Sequence, residues 1–163
     1  MTFNEEPKIF TLEQANAMLP LVSAIVRDLS SLSREVLERR ERLAFLLAGR
    51  NDRSRDLYRD ELKQIEEELQ KDNERLRDYV EELQELGVEP KHPTEGLVDF
   101  RCLMDGRVVY LCWKLGEPEI RFWHELEAGF AGRQPLPEAR RTAKPASNSC
   151  QNRISGSPNF QQR

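Results

Sequence analysis

The chain has few of the residues that crowd compact enzyme cores. Aromatic residues make up 7% of its 163 positions, and there are two histidines, His92 and His124. Hydrophobic residues reach 38% and charged residues 33%, a balance too polar for a large core and better suited to long exposed helices. No apolar run approaches the roughly 18 residues that cross a bilayer, so no membrane partner is expected. The opening "MTFNEEPKIF" has neither a basic n-region nor an apolar h-region. That reads against a signal peptide and for a cytoplasmic protein. The three cysteines, Cys102, Cys112 and Cys150, are odd in number and form no C-x-x-C pair. A disulfide framework and a cysteine-based zinc site are both disfavoured.

Net positive charge is confined to one segment. Residues 137–163 hold five Lys/Arg and one acid, so the net charge of −4 divides into +4 there and −8 over residues 1–136. An acidic body is no general nucleic-acid binder. The Ser-, Asn-, Gln- and Pro-rich segment 137–163 reads as a disordered basic tail, able at most to touch nucleic acid weakly and salt-dependently. The domain proper is expected over residues 1–136.

What is abundant is heptad spacing. Thr11 and Gln14 form a capping-box pattern, in which each side chain satisfies a backbone N–H near the other. Leu12, Ala15, Leu19, Val22, Val26, Leu29, Val36, Leu43 and Leu47 then alternate at threes and fours, with Ser33 and Arg40 in the gaps. Pro20 interrupts this seam, so a kink or a break is expected near residues 18–21. "AGRNDRS", residues 48–54, reads as a turn, with Gly49 ending one helix and Asn51, Asp52 or Ser54 capping the next. A second seam follows at Tyr58, Leu62, Ile65, Leu69, Asp72, Leu76, Tyr79, Leu83 and Leu86, closed by Gly87. The two stripes predict a long antiparallel helical hairpin, coiled-coil-like in its packing.

Pro90 and Pro93 end the helical pattern, and "LVDFRCLMDGRVVYLCWKL" replaces it. Asp105-Gly106 is a two-residue hairpin signal because both central positions need positive φ. Counting back from it pairs Cys102 with Val109, Phe100 with Leu111 and Val98 with Trp113 on an apolar face. Arg101 with Tyr110 and Asp99 with Cys112 form a mixed face. Cys102 and Cys112 then lie on opposite faces. "PEIRFWHEL" reads as a third strand, with Ile120, Phe122, His124 and Leu126 toward the core and Arg121, Trp123, Glu125 and Glu127 toward the mixed side. A short helix carrying Trp123, Leu126 and Phe130 on one face is the alternative. The fold class is therefore α+β: the hairpin, a small antiparallel sheet of two to three strands, then the tail.

The segment "GLVDFRCLMDGRVVYLCWKLGEPEIRFWHELEAGFAGRQPL", preceded by "FTLEQANAMLPLV", resembles the uncharacterised bacterial family catalogued as domain of unknown function 2203, over about residues 9–136. The resemblance implies a bacterial cytoplasmic protein. It implies no activity, and no catalytic residue is assigned.

Candidate chemistry concentrates in residues 117–133. His124, Glu125 and Glu127 are the candidate ligands of a divalent metal. On a helix His124 and Glu127 share a face at i, i+3, whereas on a strand they do not. The zincin pattern is absent because Ala128 stands where its second histidine belongs. A Cys112–His124 nucleophile pair is disfavoured, since the strand reading turns the two side chains apart. Trp113, Glu117, Trp123 and Arg133 are the candidate contacts of an anionic ligand, with the glycines of "GFAGR" letting backbone N–H groups approach it. The heptads point elsewhere. A helix of this length reaches about 50 Å and the strands about 27 Å, so the far end of the hairpin should stand clear of the sheet. The leading functional expectation is a non-enzymatic interaction protein that self-associates, as a dimer, through its hairpin. The second is a small metal- or anionic-ligand-binding protein, an enzyme among the alternatives, with a site at residues 117–133.

Overall fold

The structure, a computed structural model, describes residues 6–48 and 55–141, with the backbone alone over 55–57. Helix α1 spans Leu12–Ala48 and helix α2 spans Arg55–Glu85. The turn expected at Gly49 to Ser54 lies outside the described residues.

Helix α1 begins at the capping box read from the sequence. The Thr11 backbone N–H donates to Gln14 Oε1 (3.0 Å), and the Gln14 N–H donates to Thr11 Oγ1 (3.1 Å). Pro20 does not break the helix, which is continuous through it. The proline lies on the exposed side, where the carbonyl left without a donor can be hydrated. Helix α2 closes where Gly87, at φ +84°, donates its N–H to the Gln84 carbonyl (2.9 Å). A side chain there would meet Lys8.

Five antiparallel strands follow in the order β1 (Val88–His92), β2 (Leu97–Met104), β3 (Arg107–Lys114), β4 (Phe122–His124) and β5 (Gln134–Pro135). The β2–β3 register is the one counted from the sequence, including Phe100 with Leu111 and Asp99 with Cys112. Asp105 (φ +52°) and Gly106 (φ +80°) make the tight turn. Strands β1 and β5 extend the sheet beyond the two or three strands expected. β1 tolerates Pro90 because it is an edge strand, where a missing N–H breaks no second ladder.

The inner face of the sheet packs on the near halves of both helices. Val98, Phe100, Leu111 and Trp113 meet Val22, Val26, Leu29 and Leu83 in one core. Phe10 caps it edge-on to Phe100 (5.4 Å, 89°). Truncating a ring as enclosed as Phe100 costs about 3–5 kcal/mol. Farther out, Leu32, Val36, Ile65 and Leu69 form a second cluster made of helical residues alone. Asp72, the polar break in the α2 seam, is buried there and accepts a hydrogen bond from Arg39.

Residues 138–141, placed in the tail by the sequence reading, instead form one helical turn, α3 (Glu138–Arg141), and Arg140 pairs with Asp105. The remaining tail, residues 142–163, lies outside the described residues. No helix among the described residues is long and apolar enough to cross a membrane.

Candidate functional site

The other face of the sheet carries the chemistry. Residues paired across antiparallel strands point to the same face, so Asp99 and Cys112 share one,. β4 joins it with Phe122 opposite Cys112 and His124 opposite Tyr110. His124 therefore stands on the face of Cys112 and Asp99, contrary to the expectation that it points to the core. The reason is local. β4 is only three residues long, and Ile120, the core residue before it, lies outside it. The chain changes parity between Ile120 and Phe122, so Trp123 takes the inner position opposite Leu111 and packs against the core. Residues 122–124 are a strand, and the short-helix alternative for them falls away.

Asp99, Cys112 and His124 are each 2% exposed. One donor atom from each lies within 4.8 Å of the other two. His124 Nε2 is 2.9 Å from Asp99 Oδ2, and its Nδ1 is 2.7 Å from the Glu125 backbone carbonyl. A carbonyl oxygen only accepts, so Nδ1 donates to Glu125, and Nε2 is the nitrogen turned toward Asp99,. Burial pushes the Asp99 carboxyl up, and the neighbouring His124 and Cys112 act against that rise. Burial also pushes the Cys112 thiol up to about 12, with the Asp99 carboxyl adding to the effect.

These groups form the floor of a cavity of about 280 Å³. Lys91, His92, Tyr110, Leu126, Glu127 and Phe130 also line it. Behind Lys91, Glu89 accepts hydrogen bonds from Lys91 (2.8 Å), Arg101 (2.7 Å) and the Tyr110 hydroxyl (2.7 Å). Partial burial raises the Glu89 carboxyl, but these three donors outweigh it and hold the group at about 2.

The residues expected to form the site are divided by the fold. His124 is in it and Glu127 lines the rim of the same cavity. Glu125 turns outward to pair with Arg107 (2.7 Å). Trp113 is in the core, its indole N–H bonded to the Glu117 carbonyl (2.9 Å). Glu117 and Arg133 pair with each other (2.6 Å) rather than facing the cavity. Arg133 also donates to the Cys112 carbonyl (3.2 Å), and its guanidinium lies 4.0 Å from the Phe122 ring centre. It ties the segment that follows β4 back onto β3. The residues missed were Asp99, Tyr110 and Lys91. Asp99 had a signal, an acid inside an apolar strand already paired with Cys112.

The fold is thus a helical hairpin on an antiparallel sheet whose outer face holds a buried Asp–Cys–His cluster. The family model for the uncharacterised conserved protein, domain of unknown function 2203, matches residues 8–136. The chain belongs to that family, and the matched span contains all three residues of the cluster. No curated protein and no solved structure matches the chain.

Proposed function

We propose that this protein binds one divalent transition-metal ion of the zinc type through Asp99 Oδ, Cys112 Sγ and His124 Nε2. The observation that carries the reading is the convergence of these three buried donors within 4.8 Å. Tetrahedral ligands about 2.0–2.3 Å from zinc lie about 3.3–3.8 Å apart, so the His124–Asp99 contact at 2.9 Å needs to open by about half an ångström. The His124 Nδ1–H to the Glu125 carbonyl is the bond that fixes a metal-binding imidazole and its tautomer. With both protons released, Asp99 and Cys112 supply two negative charges that match a dication. A mixed nitrogen, sulfur and oxygen set suits zinc, iron or cobalt rather than magnesium or calcium. Elemental analysis of tag-free protein tests the reading. Near-stoichiometric metal that disappears in His124→Ala and Cys112→Ser supports it, and metal-free protein after expression and refolding in zinc overturns it.

A second reading, self-association through the hairpin, is favoured by apolar side chains outside both cores. Leu37 (51% exposed), Phe45 (70%) and Tyr58 (42%) lie toward its far end. A dimer that Phe45→Glu converts to monomer in sedimentation at tens of micromolar supports it. A monomeric wild-type chain ends it.

A further inference from the structure

We infer that the cavity takes a small ligand bearing an oxyanion, a carboxylate or a phosphate, held between the ion at Asp99, Cys112 and His124 and the ammonium of Lys91. The inference rests on the metal reading of the site. Three protein donors leave a tetrahedral ion one position short, the pattern of a site that meets an exogenous ligand. All three donors line the cavity, so the remaining position is reached from there.

The charge of the cavity then decides the ligand. Asp99 and Cys112 neutralise the dication, which leaves Lys91 as the positive group in the lining. Lys91 has three N–H donors, and its Glu89 partner accepts one at 2.8 Å,. Its ammonium lies 4.6 Å above the Tyr110 ring, and that contact and the Glu89 ion pair orient the exposed side chain. The open coordination position of the ion and the ammonium of Lys91, both in the lining of one cavity, favour an oxygen anion that contacts both. Leu126 and Phe130 add apolar lining for a short carbon stem. Glu127, also in the lining, accepts hydrogen bonds, which suits a hydroxyl or amine on the ligand rather than a second anionic group. At about 280 Å³ the cavity is at the small end for ligand sites, and fits a compact metabolite rather than a nucleotide.

The test uses the full chain loaded with cobalt(II), whose visible absorption reports both the thiolate ligand and the coordination number. Inorganic phosphate and acetate are titrated separately into wild type, Lys91→Ala and Lys91→Arg. The expected result is a saturable change in the cobalt bands with at least one of the two anions. Lys91→Ala should take up one equivalent of cobalt with the same thiolate band, but bind the anion at least tenfold more weakly. Lys91→Arg should recover most of that loss. A cobalt spectrum unmoved by either anion overturns the inference and leaves the metal reading standing. An equal response in Lys91→Ala overturns the role of Lys91. A chain that takes up no cobalt overturns both. Whether phosphate or acetate binds tells the phosphate class from the carboxylate class.

Discussion

Asp99 and His124 meet at 2.9 Å although β3 lies between their strands, and neither side chain is more than 3% exposed. Their contact reaches across Cys112, so one position on each of three consecutive strands defines the site. Removing His124 leaves the buried Asp99 carboxyl without that hydrogen-bond partner, which typically costs about 1–3 kcal/mol. His124→Ala should therefore lower the urea midpoint markedly in the metal-free protein. Excess zinc should raise the midpoint of wild type and leave that of the variant unchanged. An ion at 100 times its dissociation constant adds about 2.7 kcal/mol.

The two cysteines among the described residues should differ in their effect on metal uptake. Cys102 and Cys112 are both buried, and burial raises both thiols. Mass spectrometry after alkylation at pH 8 should find both protected in the native chain and labelled in urea. Cys112→Ser should abolish metal uptake, whereas Cys102→Ala, which empties a small space in the core, should keep it. Loss of metal in Cys102→Ala alone would contradict the site.

Glu89 gives the fold an acid-sensitive point. Its carboxyl is held at about 2, below the ordinary 4.5. A group lowered in the folded state stabilises it fully above its unfolded value, and the contribution fades as pH falls through the folded value. Stability should therefore fall between about pH 4.5 and 2. Glu89→Gln should be less stable than wild type at pH 7 and flatter across that window. Urea midpoints taken from pH 2 to 7 decide it. Parallel curves for the two proteins would remove Glu89 as the cause.

Arg39 and Asp72 tie the hairpin together at the break in the α2 seam. Asp72→Ala alone should cost about 1–2 kcal/mol, because Arg39 loses its most buried partner while keeping Glu68 at 3.4 Å,. Replacing both by leucine should be neutral or stabilising, since an apolar pair completes the stripe. Denaturation of both singles and the double measures the coupling.

Much of this was legible in the chain, for identifiable reasons. The capping box and the Asp105-Gly106 turn are local devices, and each fixes geometry within a few residues. The β2–β3 register followed from the turn by counting. β1 was hidden because Pro90 lies inside it and Pro93 directly after it, and its place at the sheet edge is what makes Pro90 tolerable,. The site was half legible. Asp99 and Cys112 were paired from the sequence, and His124 was singled out, but its face was read wrongly. A one-residue change of parity between Ile120 and Phe122 reverses Phe122, Trp123 and His124,; the strand ends there, and Leu126, expected toward the core, is exposed. Tyr110 and Lys91 were not singled out either, because they reach the site only through cross-strand pairing.

The cluster of Leu32, Val36, Ile65 and Leu69 contains no sheet residue. The molecule is in that sense a head and a handle. Whole heptads added to or removed from the handle would alter its reach and leave the three donors where they are. The length of the helices and the chemistry of the sheet are free to change independently, one setting how far the protein extends and the other what it holds.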